Sequence, residues 1–66
     1  MAEDQALREK RISLVHSLAG RWAVVSMCLP MLRRLSVSPE VAELVDDMMA
    51  ADHDVREMFT ELRTLL

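Results

Sequence analysis

The sequence predicts an all-α protein, an antiparallel two-helix hairpin that assembles as a homodimeric four-helix bundle. Three observations support this prediction. Two long segments carry apolar residues at helical spacing, one short turn signal separates them, and the two segments have opposite net charge. Strands are not expected, because the chain has no tyrosine and its only aromatic residues are Trp22 and Phe59.

Helix 1 is predicted over about residues 3–35. Two acids among residues 2–5 suit the positive end of a helix dipole. The apolar residues that follow recur every three, four or seven positions and predict one seam, formed by Leu7, Leu14, Leu18, Trp22, Val25, Leu29 and Leu32. Ile12, Val15 and Ala19 should widen this seam on one flank. The segment from Trp22 to Leu32 is apolar almost all round, which calls for cover on every side.

Pro30 interrupts the hydrogen bonding of helix 1. Proline has no amide hydrogen, so the Ser26 carbonyl loses its helical partner. The helical spacing nevertheless continues through Met31, Leu32 and Leu35. We therefore expect a kink near Pro30 and helix on to about Leu35.

The turn is predicted at residues 36–38. Ser38 is a favoured N-cap residue, Pro39 suits the first helical position, and Glu40 places negative charge in the first turn. Helix 2 is therefore predicted over about residues 39–66, with an apolar stripe that reaches the last residue. The whole chain, residues 1–66, forms a single helical-hairpin domain.

A turn this short requires the two helices to run antiparallel. Val25 should then face Met48, Leu18 should face Val55, and the N-terminal part of helix 1 should lie beside the end of helix 2. Residues 1–37 carry six basic and three acidic residues, whereas residues 38–66 carry two basic and eight acidic ones. The helices therefore attract each other, and Arg33 and Arg34 should lie near the acids that begin helix 2.

Asp52 falls within the apolar stripe of helix 2. A carboxylate at such a position is costly unless it is paired. Arg21 lies opposite in the antiparallel arrangement, so we predict an Arg21–Asp52 ion pair, within one chain or across a dimer, that sets the register. In the alternative, a slight rotation leaves Asp52 at the solvent edge near Arg56.

Catalytic, cofactor and metal sites are not expected. His16, His53 and Glu57 come closest to a ligand set, but a closed zinc site needs a fourth ligand. The chain has one glycine, so it lacks a glycine-rich phosphate loop. Its single cysteine, Cys28, lies among apolar residues and is expected to be a buried, inert thiol. The sequence thus argues against an enzyme.

A chain of 66 residues rarely forms a sufficient core alone, and one cysteine cannot make an internal disulfide. Oligomerisation is the remaining source of stability. The acidic N-terminus is unlike a signal peptide, and the longest apolar run is about half the length of a membrane span. We therefore expect a cytoplasmic protein without a membrane span.

These features predict a dimeric regulator, adaptor or inhibitor that binds an unidentified target protein. The residues expected at the self-association or partner interface are Leu18, Trp22, Val25, Leu29, Met48, Val55 and Phe59. The alternative is a chaperone-like or accessory subunit whose apolar face is covered by a different protein. A lesser alternative is nucleic-acid binding through the basic patches Arg8/Lys10/Arg11 and Arg33/Arg34, which the net charge of −3 disfavours.

Overall fold

The structure, a computed structural model, describes the backbone of residues 2–66 and the side chains of residues 4–66. This part of the chain contains two α-helices and no strand. Helix α1 covers Ala2–Leu35, helix α2 covers Pro39–Leu65, and the two pack against each other as a hairpin. The prediction of an all-helical two-helix hairpin is confirmed. Met1, with which the predicted domain begins, lies outside the described residues.

Hydrogen bonds hold the turn at the end of α1. The Ser36 amide donates to the Arg33 carbonyl at 3.2 Å, and the Ser36 hydroxyl donates to the Leu32 carbonyl at 2.8 Å. Ser38 has the extended backbone of an N-cap residue (φ −102°, ψ 135°), but its side chain makes no capping hydrogen bond. The start of α2 therefore depends on the fixed φ of Pro39 and on the acid that follows it.

Pro30 lies inside α1, which is continuous on both sides of it and ends at Leu35. The proline removes only one backbone donor, and its side chain is exposed. The helix therefore extends past the proline far enough to place Arg33 and Arg34 in its last turn, where basic side chains favour the helix dipole.

Helix α1 is rotated by about one residue from the orientation that the sequence predicted. The positions that face α2 are the least exposed ones on the helix: Ile12, Val15, Ala19, Trp22, Ser26 and Leu29. Trp22 and Leu29 were expected there, whereas Leu14, Leu18 and Leu32 of the predicted seam are exposed. Small side chains at the contact let the two backbones approach, and the polar contacts of Asp52 described below draw Ser26 inward.

The hairpin buries little apolar surface. Leu29 (4% exposed) and Val45 (2%) are the only buried hydrophobic residues among those that the structure describes, and neither is fully enclosed. The molecule measures 56 × 16 × 12 Å. A compact protein of 7.5 kDa would expose about 4,200 Å², whereas this chain exposes 5,622 Å². A large apolar surface is therefore left open on the hairpin.

Candidate protein interaction face

Two exposed apolar stripes run along the hairpin, one on each helix. The stripe on α1 consists of Leu7, Leu14, Leu18, Val25 and Leu32. The stripe on α2 consists of Val41, Leu44, Met48, Val55, Met58 and Leu62. Every one of these residues immediately precedes a position that contacts or faces the other helix: Leu18 precedes Ala19, Val25 precedes Ser26, and Met48 precedes Met49.

Both stripes lie on the same side of the hairpin. Stepping back one residue turns a side chain by about 100° around a right-handed helix. The two helices run in opposite directions, and their contact surfaces also point in opposite directions. The residue before a facing position therefore lies on the same side of the hairpin in both helices. Together the stripes form one broad, mainly apolar surface, which we call the apolar face. Arg11, Arg21 and Cys28 of α1 also precede facing positions and lie on this side.

The residues that follow the facing positions lie on the opposite, polar face. The polar side chains there are His16 and Arg34 of α1 and Asp46, His53, Glu57 and Thr60 of α2, and the apolar ones are Ala23, Met27, Pro30 and Ala50. Hollows between the helices bear out this geometry, since Ala23 and Thr60 line one hollow and His16 and Arg63 line another. The hairpin is therefore amphipathic as a whole.

The seven predicted interface residues divide between two surfaces. Leu18, Val25 and Met48 are exposed on the apolar face, and Val55 lies half-buried at its inner edge. The other three, Trp22, Leu29 and Phe59, face the partner helix within the hairpin. The structure thus separates residues that hold the hairpin together from residues that are exposed on its surface.

Asp52 occupies the centre of the helix contact and is only 5% exposed. The indole nitrogen of Trp22 donates to its Oδ1 at 2.8 Å, and the hydroxyl of Ser26 donates to the same oxygen. The Nε of Arg56, one turn further along α2, lies 3.3 Å from Oδ2. We call these four residues the Asp52 cluster. It satisfies both carboxylate oxygens and ties the midpoints of the two helices together.

The hydrogen bond from Ser26 is the main cause that lowers the pKa of the Asp52 carboxyl below its ordinary value. Burial acts in the opposite direction, while the Trp22 hydrogen bond and the positive charge of Arg56 lower the pKa further. Asp52 is therefore ionised at neutral pH.

Within one chain the predicted Arg21–Asp52 ion pair is replaced by Arg56–Asp52. Trp22 points at α2, so its neighbour Arg21 is turned away by one residue step and is exposed. The sequence alternative placed Asp52 near Arg56 at the solvent edge. The structure has the Arg56 contact, but the carboxylate is buried. A pair between Arg21 and Asp52 of a second copy stays a prediction.

The basic residues make contacts other than those expected. Arg33 pairs with Asp46 at 2.8 Å, one turn beyond the acids at the start of α2 with which the sequence placed it. Arg8 donates to the backbone carbonyl of Leu66 at 3.3 Å, close to the end of the chain. Each predicted basic patch thus has one arginine that is engaged within the hairpin.

Reactive groups are dispersed over the surface. Cys28 is exposed, which corrects the expectation of a buried thiol, because the rotation of α1 turns Leu29 inward instead. His53 lies 3.1 Å from Glu57 on the polar face, and both side chains are solvated. In residues 4–66 no three histidine, cysteine or acidic side chains converge as a metal site would require.

Helix α1 is long and apolar enough, by length and composition, to cross a membrane. Its most apolar 18-residue window has a mean hydropathy of 1.4, and 6% of that window is buried in the hairpin. Core helices of soluble proteins and signal sequences meet the same criterion. This composition is compatible with a soluble protein and with a membrane span alike.

No protein-family model matches the chain, and neither a curated protein nor a solved structure is significantly similar to it.

Proposed function

We propose that this chain is a small, non-enzymatic protein-interaction module of the cytoplasm. Its hairpins pair through their apolar faces into a homodimeric four-helix bundle. The bundle acts as a regulator, adaptor or inhibitor by binding a target protein. The observation that carries the proposal is the apolar face, because water-exposed leucine, valine and methionine side chains on this scale mark a protein contact surface.

The exposed area supports a dimer of this kind. A compact dimer of about 15 kDa would expose about 7,000 Å². Two separate hairpins of 5,622 Å² expose roughly 4,200 Å² more than that. Obligate homodimers bury about 2,000–5,000 Å² in total. A dimer as compact as a typical protein of its mass would therefore bury an area within the range of obligate homodimers.

The target would bind the outer surface of α1, which faces away from both α2 and the apolar face. This surface carries Val24, Met27, Met31 and Leu35, all exposed, beside the basic Arg34. Methionine side chains are flexible and adapt to varied apolar partners. In the proposed bundle this surface stays open on both copies, so the dimer offers two equivalent target sites.

A matched pair of variants tests the self-association. Leu18 lies on the apolar face and Leu35 on the outer surface of α1, and both are exposed in the hairpin (54% and 75%). We expect Leu18→Lys to sediment as a monomer, because a charged side chain would be buried in the dimer. Leu35→Lys should remain a dimer by the same sedimentation equilibrium measurement.

Two results would contradict the proposal. Dimers of equal affinity for both variants would mean that the apolar face is not the self-association surface. A wild-type chain that is monomeric or aggregated at all concentrations would favour the accessory-subunit alternative, in which a different protein covers this face. Co-sedimentation of that wild-type chain with phospholipid vesicles would instead identify a lipid surface as the occupant.

A further inference from the structure

Two arrangements can pair the apolar faces of two hairpins with two-fold symmetry. If the symmetry axis is parallel to the helices, α1 of one copy lies on α2 of the other and both turns are at the same end. If the axis is perpendicular to the helices, α1 lies on α1 and α2 on α2, and the turns are at opposite ends. In both arrangements the helices in contact run antiparallel, so helix direction alone does not choose between them.

Charge distinguishes the two arrangements. The first 37 residues carry a net charge of +3, whereas residues 38–66 carry −6. Placing α2 on α2 brings two strongly acidic helices together, whereas placing α1 on α2 sets opposite charges side by side. Electrostatics therefore favours the arrangement with both turns at one end.

The apolar stripes match in that arrangement. Within the hairpin, Trp22 and Ser26 both donate to the Asp52 carboxylate, which places Asp52 at the height of this turn of α1. A symmetry axis parallel to the helices preserves these heights. Val25 then lies within about one helical turn of the height of Met48 of the second copy, Leu18 of its Val55, and Leu32 of its Val41. Apolar side chains thus meet apolar side chains over the part of the interface from Leu18 to Leu32.

Charged residues lie along the outer rims of the two stripes at matching heights. Arg21 flanks the α1 stripe between Leu18 and Val25, on the side away from α2. Asp54 flanks the α2 stripe beside Val55, on the side away from α1. Both side chains are exposed, and neither forms an ion pair within the part of the chain that the structure describes.

We propose that the apolar face binds a second copy of this chain with α1 on α2 and both turns at the same end, and that Arg21 pairs with Asp54 of the second copy at each rim. This inference rests on the proposed homodimer and adds its geometry. It also gives Arg21 a partner across the dimer other than Asp52, whose carboxylate is already occupied by the Asp52 cluster.

A distance between the two turns tests the arrangement directly. Val37 is 98% exposed in the turn, so a spin label at Val37→Cys, introduced in a Cys28→Ser background, lies away from the apolar face. Turns at the same end place the two labels within about 25 Å, given helix separations of 8–10 Å and the label arms. Turns at opposite ends place them roughly 50 Å apart, from a rise of 1.5 Å per residue.

Double electron–electron resonance and continuous-wave line broadening together cover both distances. A short distance supports the proposal. A distance near 50 Å in a dimer overturns the arrangement and leaves the homodimer standing. A monomeric labelled protein, checked against the unlabelled wild type, overturns the homodimer and the arrangement together.

A charge exchange tests the rim pair. Arg21→Asp and Asp54→Arg should each weaken the dimer roughly tenfold, because each change replaces two symmetry-related attractions with repulsions. The double variant should recover most of the wild-type dissociation constant. Glu57→Arg, on the polar face, is the matched control and should leave it unchanged. Failure of the double variant to recover would overturn the Arg21–Asp54 pair.

Discussion

Replacing Ser26 with alanine is the sharpest test of how the two helices are held together. The hydroxyl of Ser26 donates to the buried Asp52 carboxylate, and it is the main cause of the lowered pKa of that group. The change removes one oxygen atom and leaves the apolar contacts of α1 in place. It therefore isolates the polar contact from packing.

The size of the effect follows from the charge of the acceptor. A hydrogen bond to a charged group contributes about 1.5–3 kcal/mol, and its loss leaves a buried carboxylate oxygen with one donor fewer. In a dimer the substitution removes two such hydrogen bonds, so the loss of stability doubles. For a cooperative unit of about 130 residues, the melting temperature should fall by about 10–20 °C.

Thermal unfolding followed by circular dichroism measures this change. Ser13→Ala is the matched control, because Ser13 is exposed on the same helix. It reports the gain in helix propensity, about 0.5 kcal/mol or less, that both alanines share. A Ser26→Ala melting temperature within a degree of the Ser13→Ala value would refute the role of the Asp52 cluster.

Three further substitutions test other parts of the structure. Leu29→Ala should lower the free energy of unfolding by about 2–5 kcal/mol in urea titrations, whereas Leu35→Ala on the exposed outer surface should change it by less than about 0.5 kcal/mol. Gly20→Ala should raise the free energy of unfolding by about 0.8–1 kcal/mol, because an added Cβ meets nothing within 4 Å. If this variant were less stable, another helix would have to pack on Gly20. Asp52→Asn should be less stable than the wild type at neutral pH. The pKa of Asp52 is lowered in the folded protein. The extra stability of the wild type is therefore present above the ordinary aspartate pKa of about 3.9, and it is lost as the pH falls through the pKa of the folded protein. If the difference in unfolding free energy between the wild type and Asp52→Asn stayed constant from pH 7 to pH 2, the lowered pKa of Asp52 would be contradicted.

The helices and the turn were accessible from the sequence because local chemistry determines them. Pro39 and the flanking serines interrupt an otherwise continuous helical pattern, and that pattern alone limits where α1 and α2 can lie. The rotation of α1 was not accessible in the same way. A helix such as Trp22–Leu32, apolar almost all round, gives no unique inward face, so periodicity selected Leu18 where the structure uses Ala19.

The polar centre shows a similar limit. Asp52 is recognisable from the sequence because its carboxylate interrupts an apolar stripe, and the structure places it at the helix contact. The hydrogen-bond partners of Asp52 were not predicted. Trp22 was assigned to the apolar core and Ser26 was treated as a minor polar break, whereas together they donate two hydrogen bonds to one oxygen of Asp52. The indole and hydroxyl groups one turn apart on α1 were the signal that could have identified them.

The central claim is that the open apolar face is covered by a second copy of the chain. The most direct test is the molar mass of the wild-type protein by light scattering across a dilution series, with circular dichroism on the same samples. We predict a helical species of about 15 kDa, twice the chain mass of 7.5 kDa, that persists to low micromolar concentration. A well-folded, cooperatively melting species of 7.5 kDa at high concentration would contradict it.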